Sequence, residues 1–391
     1  MNGIFKAGIN GLMSLITGCI NQGQKLLRFM ESKRMYTIPT PLNPQEYASD
    51  YKRYKDNIRR YGFKPVKRDF RIFRNYMLEG GTDPALIVPS IVVHNYLTAI
   101  LNPIPYNAYF EDKNMFDRIL PTDILPKTLF RRMDGLWYDG AYKSKDFSQV
   151  INELDSCPEG SKIIVKPSKD SSSGKGVRVF ELAGGRWCDV QRKDSHFKSA
   201  IEGDWGDNDL VIQEVVKQHP FMVSLSPTAV CTMRIVVYNS PVDRKCHIIW
   251  RGLRVGADGS VTDNNHTGGV ILGVDKNGKL NPFGTDQYGK KYERFNDVDY
   301  TAQPLVIPEF DKIIELALDI TPRLLPHRFV AYDIALTDEG KPVVIEYNLR
   351  AYGGWLCQFA GDPMLGDKTD EILQYLARNK SKGQKVFYKI N

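Results

Sequence analysis

Apolar and polar positions follow two different periods along this chain, and the change falls near residue 105. Between residues 44 and 100, apolar side chains recur at intervals of three or four, as in Tyr47, Tyr51, Tyr54, Ile58 and Tyr61. That spacing places side chains on one face of a helix, and such a face usually packs against other helices. Three prolines then interrupt the stretch. We predict a mostly helical N-terminal region over residues 1–105.

Beyond residue 105, short β-branched runs separated by Gly, Asp and Asn predict strands. They are Lys162–Lys166, Val177–Phe180, Leu210–Glu214, Arg234–Tyr238 and His247–Arg251. Helical spacing returns near residues 145–155, 309–320 and 367–378. The sequence therefore predicts a mixed α+β fold.

Composition narrows the class of protein. A chain of 391 residues with 42% hydrophobic content can bury a full core and form two or three structural units. The net charge is +7, but 46 acidic residues are mixed with the basic ones. Nucleic-acid binders usually concentrate basic residues in a patch or a tail, so we expect no nucleic-acid partner.

The six cysteines and the N-terminal segment bear on the cellular compartment. No CxxC pair occurs, which favours reduced thiols in the cytoplasm and disfavours a zinc site. The apolar segment 7–20 is too short and too polar to span a bilayer, and we predict an ordinary helix there. A weak peripheral membrane contact is the alternative.

The stretch Val165–Gly176 reads VKPSKDSSSGKG. A phosphate-binding P-loop is excluded because Lys169 stands where its first glycine is required and Gly176 stands where its Ser or Thr is required. We predict a β-hairpin whose tip presents backbone N–H groups and hydroxyls to an anion, with Lys166 at the strand end. The tip residues are Ser171, Ser172, Ser173, Gly174 and Gly176. A mobile loop without a ligand is the alternative reading.

A second hairpin is predicted near the C-terminus from the apolar runs 329–336 and 342–348. If it is symmetric about Glu339 and Gly340, Asp333 faces Glu346, and Asn348 lies on the same face. Facing carboxylates repel each other, and a hard divalent cation with oxygen ligands, such as Mg²⁺, would relieve the repulsion. Ion pairs with Arg350 or Lys341 are the alternative.

The order of these motifs resembles the ATP-grasp superfamily over residues of about 107–362. The matching segments are Asp112-Lys113 followed by Phe116–Thr128, the strand Ile164–Pro167, the loop Asp170–Gly176, the strand Ile212–Val216, and the set Asp333, Glu346 and Asn348. Three further segments look most like the sugar-transfer-associated ATP-grasp family: Gln218–Pro220, Cys231–Val236 and Asp263–Gly269.

The resemblance implies an ATP-grasp fold, in which two α+β subdomains clamp ATP. The implied units are residues 106–160 as the first part of the module, 161–217 as the lid and nucleotide subdomain, and 218–391 as the metal-binding subdomain. The implied cofactors are ATP and Mg²⁺, with Mn²⁺ as an alternative ion bound by Asp333, Glu346 and Asn348. The residues implied to hold the nucleotide are Lys113, Lys166, the loop tip given above, Gln213, Glu214, Val215, Val216 and, near the ribose, His219.

Arginines and a polar loop complete the predicted site. Arg234, Arg251 and Arg254 suit a transferring phosphoryl group or a carboxylate, although each alone could be a structural ion pair. The residues predicted to shape the acceptor pocket are Asn265, His266, Gly268 and Arg350. A plain surface loop is the alternative for residues 264–268.

The resemblance implies an ATP-dependent carboxylate–amine ligase that acts through an acyl phosphate. Its substrates would be small molecules, such as a sugar acid or an amino acid in cell-surface polysaccharide biosynthesis. One alternative is an ATP-grasp kinase that phosphorylates a hydroxyl. Another is a non-catalytic polyanion-binding protein, which predicts no magnesium-dependent ATP binding. The sequence does not indicate the oligomeric state.

Overall fold

The computed structural model describes residues 44–169, 174–192, 194–350 and 352–383. The chain begins there with helices, which are α1 (Pro44–Arg60), α2 (Lys67–Glu79), α3 (Ser90–Val92) and α4 (Thr98–Leu101). A π-helical turn over Val93–Leu97 joins α3 to α4, and a 3₁₀ turn over Pro84–Leu86 precedes them. The predicted helical region is confirmed for these residues, whereas the segment 7–20 lies outside the described ranges.

The apolar stripe of α1 is a packing face. Tyr54 and Ile58 are fully buried, and the Tyr54 ring lies 5.1 Å from that of Phe70 in α2, centroid to centroid. The intervals of three and four residues in the sequence therefore produce helix-to-helix packing, as expected.

Short helices α5 (Asn107–Phe110) and α6 (Phe116–Ile119) lead into the first sheet. Its seven strands are ordered β3-β2-β1-β7-β4-β5-β6, and every neighbouring pair is antiparallel. They are β1 (Thr128–Met133), β2 (Leu136–Asp139), β3 (Ser144–Lys145), β4 (Lys162–Pro167), β5 (Arg178–Ala183), β6 (Arg186–Asp189) and β7 (Leu210–Glu214). Strands from the predicted units 106–160 and 161–217 thus share one sheet.

Two helices cover this first sheet. They are α7 (Phe147–Asp155) and α8 (Phe197–Gly203). Helix α7 begins at a capping box, in which Asp146 and Gln149 satisfy each other's backbone N–H groups. Val150 of α7 and Phe197 of α8 are buried in one core with Phe180 of β5.

The second sheet also has seven strands, ordered β12-β11-β10-β9-β8-β15-β16. They are β8 (Thr232–Asn239), β9 (Cys246–Val255), β10 (Val270–Val274), β11 (Leu280–Thr285), β12 (Lys291–Tyr292), β15 (Phe329–Leu336) and β16 (Pro342–Asn348), and a separate ribbon pairs β13 (Arg294–Phe295) with β14 (Val298–Asp299). The helices of this half are α9 (Pro220–Leu225), α10 (Phe310–Ile320), α11 (Gly354–Phe359) and α12 (Thr369–Arg378).

The second sheet is covered on both faces. Ile313 of α10 belongs to the core on one face, together with Met233 of β8. On the opposite face, Tyr238 and Phe329 pack in the same core as Tyr54 of α1. The N-terminal helices and the C-terminal sheet therefore share one hydrophobic core.

Asn102 connects these two parts of the chain. It is fully buried, and its Nδ2 donates to the carbonyl oxygens of Phe329 (2.6 Å) and Leu349 (2.7 Å). Its Oδ1 accepts from the N–H groups of Arg328 and Phe329. One side chain thus satisfies buried backbone groups of β15 and of the segment that follows β16.

The stretch Pro84–Leu101 has the length and composition of a membrane span, with a mean hydropathy of 1.6. However, 56% of it is buried inside the protein, and Leu97 and Leu101 belong to the shared core. Its apolar character is accounted for by packing.

Candidate active site

Asp333 of β15 lies opposite Glu346 of β16, as predicted, but the hairpin is not symmetric. Leu336 pairs with Pro342, which centres the turn on Glu339 alone. The register then shifts by one residue between Asp333 and Ile334, so that Ile345 is the extra residue of a β-bulge. The assumption of a symmetric turn was wrong, and the bulge restores the predicted pair.

Asp333 is buried and is held by two arginines. Arg234 of β8 donates through Nε to Oδ1 (2.5 Å) and through Nη2 to Oδ2 (2.9 Å). Arg254 of β9 donates through Nη1 to Oδ2 (3.0 Å). Burial opposes the ionisation of Asp333, but the two guanidinium groups outweigh it and hold the pKa of this carboxyl below its ordinary value. The carboxylate is therefore ionised and charge-balanced.

Glu346 is half-buried and pairs with Lys113, whose Nζ lies 3.2 Å from its Oε1. Lys166 of β4 is buried beside them. Burial, reinforced by the positive charge of Lys113 and opposed by Glu346, lowers the pKa of Lys166 to about 8. Two lysines that are 53 positions apart in the sequence thus meet at one carboxylate.

Lys113 and Lys166 border a cleft of about 390 Å³ between the two sheets. Thr128, Lys166 and Gln213 line it from the first sheet, and Val344 and Ile345 line it from the second. The cleft also includes Lys113, and its remaining lining residues come mostly from the segment 116–127. A cleft lined by apolar side chains such as Val344 and Ile345 and by three lysines, Lys113, Lys127 and Lys166, can take a flat ring system together with an anionic group.

The predicted adenine-binding strand contributes one side chain to this cleft. Gln213 is buried; its Nε2 donates to the carbonyl oxygen of Pro126 (3.3 Å) and to the Thr128 hydroxyl (3.1 Å), while its Oε1 has no partner. Glu214 does not line the cleft; it is exposed and pairs with Lys127 (2.6 Å), which borders the cleft. The alternation of side chains along β7 therefore separates the two residues that the sequence grouped together.

The neighbouring positions are less directly involved. Val215 and Val216 are half-buried, and the Val215 N–H donates to the carbonyl oxygen of Lys162. The His219 ring accepts from the Phe221 N–H and caps the N-terminus of α9. These residues follow β7, none of them lines the cleft, and their nucleotide contacts stay a prediction.

The predicted lid hairpin joins β4 to β5. Gly174 and Gly176 have positive φ angles of 70° and 77°, which explains why glycine occupies both positions. A side chain at Gly174 would lie 3.3 Å from Thr262, so the lid lies against the loop that precedes residue 263. Ser171, Ser172 and Ser173 lie outside the described residues.

The predicted acceptor loop is held in a fixed shape. Asn265 is buried and donates to the carbonyl oxygen of Thr285 (3.2 Å), and the exposed His266 bonds through Nδ1 to Gln287. Gly268 has a φ of 96°, a conformation that side chains disfavour. This loop is therefore ordered by its own hydrogen bonds.

Two of the predicted residues lie apart from the Asp333 cluster. Arg350 is exposed and pairs with Glu111 (Nε to Oε1, 2.9 Å). Burial lowers the pKa of Arg251, and the acidic groups that oppose this effect are Asp362, Asp275 and Asp367, none of which lines the cleft. The structure thus brings Arg234 and Arg254 to Asp333 but not Arg251.

Sequence reasoning assigned no role to Asp263, which the structure brings to the same cluster. Its Oδ1 lies 3.1 Å from Arg254 Nη2, and its Oδ2 accepts from the hydroxyl of Thr232. Asp263 begins the Asp-Asn-Asn-His run that was noted for its resemblance to a family motif. That run was the only signal available, because the contact with Arg254 depends on how the loop after β9 folds back, which no sequence pattern indicates.

The donor set at the hairpin fits a hard divalent cation in its chemistry. Asp333 and Glu346 supply carboxylate oxygens, and the amide of Asn348 lies next to them, with its Nδ2 3.3 Å from Asp333 Oδ2. Across the described ranges, no group of three or more His, Cys, Asp or Glu side chains could hold a metal ion. A cation here would therefore need the Asn348 oxygen, and it would compete with Arg234 and Arg254 for Asp333.

The sequence matches the sugar-transfer-associated ATP-grasp family over residues 93–374. No curated protein sequence matches the chain at a significant level.

Solved structures similar to this chain include a synthetase and two ligases. A D-cycloserine synthetase is 12% identical, with a TM-score of 0.39, and the match covers 84% of this chain and 95% of that one. D-alanine–D-alanine ligase from Bacillus anthracis is 12% identical, with a TM-score of 0.38 and coverage of 88% and 97%. An L-amino acid ligase from Bacillus licheniformis is 14% identical, with a TM-score of 0.32 and coverage of 69% and 47%.

Proposed function

The chain belongs to the sugar-transfer-associated ATP-grasp family, and from that premise we propose that it is an ATP-dependent carboxylate–amine ligase. The observation that carries this proposal is the meeting of Lys113, Lys166 and Glu346, in which the two lysines line the cleft between the two sheets and Glu346 pairs with Lys113. The buried Asp333 with Arg234 and Arg254 extends this cluster. Such a charge arrangement suits a triphosphate whose terminal group is transferred.

The proposed binding mode orients ATP along the cleft. The adenine lies beside Gln213, whose unpartnered Oε1 can accept a hydrogen bond from an exocyclic amino group. The phosphates extend towards Lys113 and Lys166, which supply fixed positive charge in a water-poor site. The lid hairpin that carries Gly174 and Gly176 excludes water from the phosphates.

The proposed reaction has two steps. A substrate carboxylate oxygen attacks the γ-phosphorus, the bond to the β–γ bridging oxygen breaks, and ADP leaves with that electron pair. The resulting acyl phosphate is then attacked by an amine, which loses a proton, and inorganic phosphate departs as the amide forms. Arg234 and Arg254 stabilise the charge that develops on the transferred group and on the tetrahedral intermediate.

The residues that would hold Mg²⁺, or Mn²⁺ in its place, are Asp333, Glu346 and Asn348. When bound, the ion neutralises phosphate charge and polarises the phosphoryl oxygens. Arg234 and Arg254 must then exchange part of their contact with Asp333 for contact with the phosphates. Their guanidinium groups carry enough donors to do so without leaving the site.

We propose small-molecule acceptors that are polar, with a sugar acid or an amino acid of a cell-surface glycan precursor as the first class to test. We propose the loop 263–269, whose Asp263 contacts Arg254, as the acceptor side of the site, with the exposed Arg350 as a further candidate. We propose activity in the cytoplasm, where ATP is available and where the five described cysteines, which are free thiols, would stay reduced.

The test is a screen of carboxylates and amines that monitors ADP release. A ligase releases ADP only when both substrates are present and gives a condensed product in the mass spectrum. Hydroxylamine should trap the acyl phosphate as a hydroxamate, and one ¹⁸O of a labelled carboxylate should appear in the released phosphate. Glu346→Gln serves as the inactive control.

A phosphorylated hydroxyl compound, formed without any amine, would instead identify a kinase. Failure of Mg²⁺·ATP or Mg²⁺·ADP to bind in calorimetry would contradict both enzymatic proposals and favour a polyanion-binding protein.

A further inference from the structure

Arg254 lies between two buried carboxylates. Its Nη1 donates to Asp333 (3.0 Å), and its Nη2 lies 3.1 Å from Asp263. All three residues are at most 8% exposed. The guanidinium is thus shared between one acid of the candidate metal site and one acid outside it.

The position of Asp263 is itself fixed. Thr232 of β8, which pairs in register with Arg254 of β9, donates its hydroxyl to Asp263 Oδ2. Gly269 allows the loop to fold back closely, because a side chain there would lie 2.9 Å from the carbonyl oxygen of Asp263. Asp263 also follows Thr262, the residue against which the lid glycine Gly174 rests.

Asp263 and Asp333 have different roles when the charges of the buried group are counted. Arg234 and Arg254 carry two positive charges, and Asp263 and Asp333 carry two negative charges, in one buried group. If a divalent cation occupies Asp333, Arg254 loses that partner. A buried guanidinium without an anionic partner is costly, and Asp263 is the acid that remains in contact with it.

We propose that Asp263 is a positioning residue that anchors Arg254 through Nη2, so that Nη1 turns from Asp333 to the γ-phosphate of bound ATP. This inference rests on the proposed function. Asp263 itself contacts neither the nucleotide nor the reacting atoms. Its effect passes through Arg254, and the γ-phosphate is the group that should reveal it.

The direction in which loss of the Asp263 charge changes nucleotide affinity distinguishes anchoring of Arg254 from simple electrostatics. Removal of a negative charge near a phosphate should strengthen binding of the more highly charged nucleotide. Loss of the anchor should weaken binding of that nucleotide, because the Arg254 guanidinium would then stay paired with Asp333. The affinity ratio between a non-hydrolysable ATP analogue and ADP isolates the γ-phosphate contact from the contacts of the adenine and the other phosphates.

The test measures that ratio by calorimetry with Mn²⁺ for wild type, Asp263→Asn, Arg254→Met and the double variant. We expect each single substitution to lower the preference for the triphosphate analogue about tenfold, as for the loss of one charge-assisted hydrogen bond. The double variant should be no worse than Arg254→Met alone, because both changes remove the same contact. Asp263→Glu should restore part of the preference.

Three results would overturn the inference. They are an unchanged or increased triphosphate preference in Asp263→Asn, additive losses in the double variant, and equal losses of ADP and analogue affinity. If Asp263→Asn does not fold, as judged by thermal unfolding, Thr232→Val replaces it. That variant keeps the charge but frees Oδ2, and we expect a loss of about two- to threefold, whereas no loss would again contradict anchoring.

Nucleotide binding by the wild type tests the proposed function, on which this inference rests. Absence of nucleotide binding in the wild type would overturn the proposed function and this inference with it. A wild-type preference that survives Asp263→Asn overturns the inference alone.

Discussion

Asp333 faces Glu346 across the last hairpin because Ile345 is an extra residue in β16. The two acids have different surroundings, since Asp333 is buried between Arg234 and Arg254, while Glu346 is one-third exposed beside Lys113. Substitution of the two acids should therefore have different consequences.

Asp333→Asn should unfold at lower denaturant concentration than Glu346→Gln. The first change leaves two buried guanidinium groups facing a neutral amide, a loss of about 3 kcal/mol in the free energy of unfolding. The second weakens a partly exposed ion pair, for which we expect less than about 1 kcal/mol. Both should weaken Mn²⁺ binding in the presence of ADP at least about tenfold, as followed by electron paramagnetic resonance. Retained Mn²⁺ affinity in both variants would exclude the hairpin as the metal site.

The lowered pKa of Lys166 predicts how nucleotide affinity depends on pH. Its pKa is lowered from 10.5 to about 8, so its charge is present below pH 8 and is lost as the pH rises through that value in the free protein. The dissociation constant for ADP should therefore increase between about pH 8 and 9.5. Lys166→Arg should remove this pH dependence of the dissociation constant, because arginine stays charged. Lys166→Met should also remove the pH dependence, while weakening ADP binding roughly 30-fold. If the pH dependence of ADP affinity persists in Lys166→Arg, the titrating group is not Lys166.

Gln213 and Glu214 are neighbours with opposite orientations, and they form a matched pair of variants. Gln213→Met removes the buried, unpartnered Oε1 from the cleft, and we expect about tenfold weaker ATP binding and a smaller preference for ATP over GTP. Glu214→Gln alters an exposed ion pair with Lys127 and should change affinity less than about twofold. The reverse order of effects would place the base outside this cleft.

The hydrogen bonds of Asn102 connect the N-terminal helices to the second sheet, and their loss should destabilise the fold. Asn102→Ala removes hydrogen bonds to the backbone of Phe329, Arg328 and Leu349 and leaves buried groups unpaired. We expect a loss of about 3 kcal/mol in urea unfolding. Asn57→Ala, which removes one half-buried bond to Ala85, should lose about 1 kcal/mol and serves as the control.

Local sequence pattern was sufficient for elements whose partners are close in the chain. The runs 329–336 and 342–348 predicted β15 and β16, and the periodic tyrosines predicted α1. The facing of Asp333 and Glu346 was predicted from a symmetric turn that the structure does not have, and it holds because the bulge at Ile345, which the sequence pattern does not indicate, shifts the register by one residue.

Contacts between distant segments could not be obtained in that way. Nothing in the alternation of β9 indicates that Arg254 reaches Asp333, or that Arg251 points elsewhere, because the contact with Asp333 depends on the order β9-β8-β15 in the sheet. The pairing of Arg350 with Glu111 was missed for the same reason, since 239 positions separate them.

The shared core of the N-terminal helices and the second sheet also has a consequence for biosynthesis. The surfaces that α1 and α2 bury, such as Phe329 in β15 and Phe359 in α11, are synthesised long after the helices themselves. Tyr54 and Phe70 therefore stay exposed to solvent or to chaperones until β15 and α11 have left the ribosome. The early helices are completed by segments that are translated much later.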